Sequence, residues 1–188
     1  MQTHISFIIK TGFFHLRRIA SIRRYLTHDA CVKLVVSLIF SRLDYCNSLL
    51  AGLPASSIHG LQQVQNAAAR LTLRKTKRDH ITPLLRFLHW LPVNTRISYK
   101  LSTLVYKCLN DSAPEYLQSS LDLYTQPSDR PLCSAADPLR LHIPRSKLAA
   151  CIPLPSAGPS VWNSLPLELR QSHSLDAFKS RLKTQFFP

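Results

Sequence analysis

Apolar residues recur at helical spacing through the first 121 residues of the chain, and this pattern restricts the fold more than any other feature. Three stripes are clearest: Cys31, Leu34, Val35, Leu38, Ile39 and Leu43; Ile58, Leu61, Val64, Ala68 and Leu71; and Ile97, Leu101, Leu104, Val105 and Cys108. Steps of mostly three or four residues place each stripe on one face of an α-helix. Thr27 precedes the first stripe as a candidate N-cap, and Gly52 and Pro54 close that segment. One helix is predicted to begin after Thr27, and two others are predicted at Ser57–Leu73 and Asn94–Leu109. Shorter helices are predicted at Ile5–Ile22, Thr82–Leu88 and Pro114–Leu121.

The composition changes near residue 122, which predicts a second domain. Nine of the thirteen prolines lie at or after Pro127. Alternation of apolar and polar residues over Leu139–Ile143 predicts a short strand, whereas a brief helix after Pro159 and a terminal helix over Leu175–Phe186 are also expected. The sequence therefore predicts a mainly α fold with a helical domain at residues 1–121. A small, irregular, Pro-rich α+β segment with short strands is expected at residues 122–188.

The chain is strongly basic, with 24 Lys and Arg against 10 Asp and Glu and a formal charge of +14. Residues 1–100 hold 15 of these bases and only three acids, Asp29, Asp44 and Asp79. A folded body with this bias favours a polyanionic partner, nucleic acid first and an acidic membrane surface second. The longest apolar run, Leu34–Phe40, is far shorter than the ~20 residues of a membrane helix. Because no secretory signal is evident, we expect an intracellular protein of the nucleus or cytoplasm.

Two predicted helices carry basic and amide side chains opposite their apolar stripes. On the first, the polar face comprises His59, Gln63, Asn66, Arg70 and Arg74, and it continues into Lys75, Lys77 and Arg78. On the second, the polar face comprises Arg96, Lys100, Thr103 and Lys107. Arg and Lys neutralise phosphates, and amides reach sugar hydroxyls or groove edges, so these faces predict contacts to a nucleic-acid backbone. The alternatives are an ordinary solvated face, and for residues 74–78 a nuclear-import signal or a loop without a role.

The chain lacks the residue patterns of a catalytic or metal site. Its acids are scattered singly, and four glycines form no phosphate-cradling loop. Five widely spaced cysteines favour reduced thiols, with Cys46 expected to be buried. Trp90 is expected to pack the junction between two helices, with stacking on a base as the alternative, and Trp162 is expected to fill the core of the C-terminal part. We therefore expect no enzymatic activity, no cofactor and no metal.

Several segments of the chain resemble those of reverse transcriptases from non-LTR (LINE-type) retrotransposons of the jockey and chicken-repeat kind. The matching segments are Phe13–Arg18 (FFHLRR), Ser41–Pro54 (SRLDYCNSLLAGLP), Leu61–Leu71 (LQQVQNAAARL), His80–Val93 (HITPLLRFLHWLPV), Arg96–Leu109 (RISYKLSTLVYKCL), Ala113–Leu117 (APEYL), Gly158–Arg170 (GPSVWNSLPLELR) and Phe178–Thr184 (FKSRLKT). They follow one another in order and span nearly the whole chain, from Phe13 to Thr184. The family's palm aspartates and its endonuclease have no counterpart here.

The resemblance implies the helical thumb and the post-thumb part of such a polymerase. A thumb is expected to follow the template–primer duplex, whether RNA, RNA–DNA hybrid or DNA, through its backbone. Carried onto this chain, the implied contacts are Gln63, Asn66, Arg70, Arg74, Arg96 and Lys100. A thumb without its palm would expose an apolar patch near the N-terminus, which predicts self-association through Phe7, Ile8, Ile9, Phe13 and Phe14. The alternatives are a helical protein-interaction module and a genomic relic with no selected function.

Overall fold

The structure, a computed structural model, describes residues 2–122, 139–143 and 153–187. Most of the described residues are helical, which confirms the predicted mainly α class. The α-helices are α1 (Gln2–Ile22), α2 (His28–Val35), α3 (Ser41–Asp44), α4 (Ala55–Thr72), α5 (Ile81–Phe87), α6 (Val93–Leu109), α7 (Glu115–Gln118), α8 (Pro153–Asn163), α9 (Leu167–Arg170) and α10 (Leu175–Phe186). Single 3-10 turns cover Arg23–Tyr25 and Asn47–Leu50, and a π-helical turn over Val36–Phe40 joins α2 to α3. None of the helices in these ranges combines the length and apolar character that a bilayer crossing demands.

The chain divides into two compact units whose boundary lies within α6. Unit 1 contains Met1–Asn47 and Leu53–Arg96, and unit 2 contains Ser48–Gly52 and Ile97–Pro188. Residues 97–121, which the composition groups with the N-terminal helices, thus cluster with the C-terminal residues. Most of the Pro-rich segment, together with Cys133 and Cys151, lies outside the described residues.

Unit 1 is built on the close packing of α1 against α4. The buried side of α1 repeats every three or four residues through Ile5, Ile8, Gly12, Leu16 and Ile19. Gly12 permits close approach, because a Cβ there would lie 2.7 Å from Cγ1 of Val64. Thr27 caps α2 as predicted, since its hydroxyl accepts a hydrogen bond from the Ala30 N–H. The helices α1, α2 and α4 all pack against one another within unit 1.

The N-terminal apolar cluster is only partly exposed. Phe7 and Phe14 are 60% and 50% exposed on the side of α1 away from α4, whereas Ile8 is buried. Ile9 and Phe13 are half-buried. Of the five residues of the predicted patch, only Phe7 and Phe14 are exposed, and self-association through the patch stays a prediction.

Trp90 occupies the core of unit 1, as the sequence predicts. Its ring meets Phe40 edge to face at a centroid distance of 4.5 Å. Two glutamines of α4 hold the adjoining chain: the Gln65 amide donates to the Leu91 carbonyl at 2.7 Å, and the Gln62 oxygen accepts from the Val93 N–H at 2.8 Å. Gln65 is fully buried, so this bond positions the segment that leads into α6.

Unit 2 is organised around Trp162 and Phe178, both almost fully buried. Tyr106 stacks on Phe178 at 4.4 Å and donates its hydroxyl hydrogen to the Ser172 carbonyl at 2.7 Å. The predicted core role of Trp162 is thus confirmed. Replacing a buried aromatic side chain of this kind with alanine lowers the free energy of unfolding by about 3–5 kcal/mol.

The predicted strand at Leu139–Ile143 does not form as a continuous strand, although the His142 N–H donates to the backbone carbonyl of Asp122 at 2.9 Å. Only Leu141 within this stretch forms an isolated β-bridge. The Leu141 N–H donates to Oδ1 of Asn163 at 3.0 Å, and Nδ2 of Asn163 donates to the Leu141 carbonyl at 2.9 Å. Trp162 donates its indole N–H to the Leu139 carbonyl. The alternating side chains therefore reflect one buried residue in an extended segment held by α8.

Candidate nucleic-acid interface

The basic loop (residues 74–78) leaves the C-terminal end of α4 in a sharp turn. Arg74 adopts a left-handed backbone conformation with φ of 53°. The Lys75 N–H then donates to the Arg70 carbonyl at 2.9 Å, which closes the helix end in the way that a left-handed residue at this position allows. All four basic residues of the loop are exposed. The turn thus projects a dense group of positive charges from unit 1.

Asp79 stabilises this loop from its far end. Its carboxylate accepts hydrogen bonds from the backbone N–H of Thr76 at 2.6 Å and from the Thr76 hydroxyl at 2.9 Å. The Thr76 N–H is the larger cause that lowers the pKa of Asp79 below its ordinary 3.8, and the charges of Lys75 and Arg70 act in the same direction. A carboxyl with a depressed pKa stabilises the folded state above its unfolded pKa and loses that effect as pH falls through the folded pKa. The loop is therefore held closed at neutral pH.

Arg23 anchors the helix end from which the loop departs. This buried side chain donates to the carbonyls of Leu71 at 3.0 Å, Thr72 at 2.7 Å and Leu26 at 2.9 Å. The last carbonyls of a helix lack partners within the helix, and a cation there also opposes the negative end of the helix dipole. Arg23 therefore acts as a structural cap and is itself unavailable to a ligand.

The polar face of α4 is partly engaged within the chain. Gln63 is exposed, whereas Asn66 is half-buried and its Oδ1 accepts from Gln62 Nε2 at 2.8 Å. Arg70 is half-buried too, and its Nη2 donates to the Asp79 carbonyl at 3.3 Å. Gln63 is thus the most accessible of these three predicted contacts.

Arg96 is held inside unit 1 by a carboxylate and an aromatic ring. It forms a two-point ion pair with Asp44, in which Nε donates to Oδ1 at 2.8 Å and Nη2 donates to Oδ2. Its guanidinium carbon also lies 4.7 Å from the centroid of the Phe40 ring. A paired and stacked guanidinium is poorly placed to neutralise phosphate. The predicted backbone contact of Arg96 accordingly stays a prediction.

The remaining predicted contacts lie on α6 within unit 2. Lys100 is exposed and Lys107 is half-buried, and Thr103 between them uses its hydroxyl to bond the Tyr99 carbonyl at 2.8 Å. Unit 2 is nearly balanced in charge, with ten Lys and Arg against seven acids. These two lysines therefore form a weaker electrostatic feature than the basic loop.

Unit 1 carries a large uncompensated positive charge on its surface. It contains 14 Lys and Arg against three Asp and no Glu. The exposed basic residues are Lys10, Arg17, Arg18, Arg24, Lys33, Arg42, Arg74, Lys75, Lys77, Arg78 and Arg86. Two of the three carboxylates are engaged, Asp44 by Arg96 and Asp79 by Thr76. Ordinary solvated surfaces mix both signs, so this surface favours an anionic partner.

The sequence analysis did not include the basic residues of α1 and α5 in this surface. The signal was present in part, because Lys10, Arg17 and Arg18 fall off the apolar face of the predicted helix at Ile5–Ile22. The buried Arg23 carries no such signal, since its neighbour Arg24 has the same chemistry and is exposed.

The described residues offer little chemistry beyond charge. Within residues 2–122, 139–143 and 153–187, no group of three or more His, Cys, Asp or Glu side chains could hold a metal ion. The expectation that Cys46 is buried is wrong: its backbone is left-handed with φ of 53°, and the residue is exposed just after α3 ends. The absence of enzymatic activity stays a prediction.

Comparison with known proteins adds no relative, because no family model, curated protein or solved structure matches this chain.

Proposed function

We propose that this protein binds the sugar-phosphate backbone of nucleic acid through the basic surface of unit 1, with the basic loop at its centre. The observation that carries the proposal is the imbalance of exposed charge. Unit 1 exposes eleven Lys and Arg side chains, whereas its Asp44 and Asp79 carboxylates have partners within the chain. Phosphate is the partner that such a surface neutralises most efficiently, because each contact releases condensed counterions.

The shape of the basic loop favours contacts to the phosphate backbone of nucleic acid over recognition of its base edges. Four basic residues within five consecutive positions emerge from one turn. The hydrogen bonds from Thr76 to the Asp79 carboxylate fix the backbone that carries them. Reading base edges needs a helix or ribbon that enters a groove, whereas phosphate contacts need only projecting cations. We therefore expect binding with little sequence preference to RNA–DNA hybrid, RNA and DNA.

The resemblance to LINE-type reverse transcriptases gives this activity a context. We propose that the chain is a non-catalytic thumb and post-thumb piece of such a polymerase, and that the basic loop lies along the template–primer duplex. The purified chain should then neither incorporate nucleotides nor cleave strands. Detection of either reaction would contradict this part of the proposal without affecting backbone binding.

Binding to an RNA–DNA hybrid across a salt series tests the proposal. We expect the logarithm of the association constant to fall linearly with the logarithm of salt concentration, with a slope near −4 for about five phosphate contacts. Fluorescence anisotropy of a labelled hybrid measures the slope, and hybrids of unrelated sequence serve as controls for sequence preference. A flat salt response would contradict backbone binding.

The alternative function is that the same surface binds a protein partner. An interaction module would form a saturable, stoichiometric complex in cell extract that survives nuclease treatment. Loss of the complex on nuclease treatment would instead support nucleic acid as the bound molecule.

A further inference from the structure

An open groove of about 460 Å³ lies in unit 1 beside the basic loop. Arg74, Leu73 and Thr72 line it from the end of α4, Thr27 and His28 from the start of α2, and Phe87 from the end of α5. None of the groove residues is acidic. Its volume falls within the range of ~300–1,000 Å³ in which small organic ligands bind.

Phe87 gives this groove an exposed aromatic wall. The side chain is 71% exposed, although its neighbours Leu84 and Leu85 on α5 are buried. An exposed phenyl ring leaves a large apolar area in water, which costs free energy unless a partner covers it. A flat partner with its own π-face fits such a wall best.

Arg74 places a cation at the same groove. Its Nη2 reaches the Arg23 carbonyl only at 3.5 Å, and the other N–H groups of its guanidinium have no acceptor among the residues that the structure describes. Arg23 also lines the groove, but its N–H groups are spent on three carbonyls. The groove therefore combines one available guanidinium with one available aromatic ring.

We propose that this groove binds one unpaired nucleotide, with its base stacked on Phe87 and its phosphate paired with Arg74. The inference rests on the proposed backbone binding: the basic loop would hold the duplex, and the groove would take the first nucleotide of a single-stranded extension. Stacking on an aromatic side chain tolerates any base, because every base has a π-face. The proposal thus identifies a ligand class, nucleic acid with a duplex-to-single-strand junction.

Two probes separate this inference from backbone binding itself: a blunt RNA–DNA hybrid and the same hybrid with a short single-stranded overhang. The natural chain should bind the overhang probe roughly tenfold more tightly, the lower part of the range for stacking one base. Phe87→Ala and Phe87→Leu should abolish that preference and leave affinity for the blunt hybrid unchanged, whereas Phe87→Tyr should retain it. Tyr116→Ala, at an aromatic residue of unit 2 that is 72% exposed, is the matched control and should change neither affinity.

Several results would overturn the inference. Equal affinity of the natural chain for both probes would remove the nucleotide site while leaving salt-dependent backbone binding intact. A preference that survives Phe87→Leu would show that the ring does not stack. Loss of affinity for the blunt hybrid in Phe87→Ala would place the residue on the duplex instead. Failure of backbone binding itself is read separately, from a flat salt response with the blunt hybrid.

Discussion

Replacing Lys75, Lys77 and Arg78 with glutamine should weaken binding to an RNA–DNA hybrid by about a hundredfold at low salt and reduce the salt slope by roughly three. Each lost phosphate contact removes about 0.9 from the slope on a duplex. All three side chains are exposed, and none is part of the bonds that close the loop, so the fold should be unaffected. Anisotropy titrations at several salt concentrations measure both quantities.

The chain offers a matched control for this substitution. Lys179, Arg181 and Lys183 on α10 in unit 2 are also two lysines and one arginine, and their replacement with glutamine removes the same net charge. If binding depends on the basic loop, the α10 variant should lose far less affinity and keep most of the slope. Equal losses in the two variants would show that only total charge matters, and would remove the loop from the proposed site.

Replacing Arg23 with methionine should destabilise unit 1 by about 4 kcal/mol. The change removes charge-assisted hydrogen bonds to three carbonyls, each worth about 1.5–3 kcal/mol, and the buried Thr72 carbonyl loses this donor. The two tryptophans provide a measurement for each unit, since Trp90 lies in unit 1 and Trp162 in unit 2. Urea unfolding followed by Trp90 fluorescence in a Trp162→Phe background reports the free energy of unfolding of unit 1.

Arg24→Met is the control, because it removes the same charge from the next residue. Arg24 is exposed and lies over the Tyr25 ring at 4.6 Å, a contact worth about 0.5–1 kcal/mol at such a site. Similar destabilisation by the two substitutions would contradict the capping role of Arg23. Under conditions where Arg23→Met is still folded, its salt slope should equal that of the natural chain, since Arg23 does not contact phosphate in this account.

The helices could be predicted from the sequence because their apolar residues follow helical spacing with recognisable ends. The terminal helix begins at Leu175 and ends at Phe186, as predicted, and Ser174 caps it through a bond to the Ala177 N–H. The first predicted helix after Thr27 is less regular, because a π-helical turn interrupts it before α3. The sequence analysis did not predict this turn, although the buried residues across it recur at steps of four.

The tertiary partners of polar side chains account for most of what the sequence could not predict. Asp44 and Arg96 are 52 residues apart, so their ion pair depends on the packing of the helices that carry them. The same holds for Asn163, whose side-chain amide bonds both the N–H and the carbonyl of Leu141. The basic loop was predictable as a charge run, but its closed shape depends on the left-handed Arg74 and on the Thr76–Asp79 bonds.

Binding to a hybrid whose linkages are uncharged methylphosphonates tests the central claim most directly. This substitution removes the backbone charges and keeps the base sequence, so it separates phosphate recognition from every other contact. We expect the natural chain to lose nearly all affinity for the uncharged hybrid, and the remaining binding to be insensitive to salt. Equal affinity for the charged and uncharged hybrids would contradict the account.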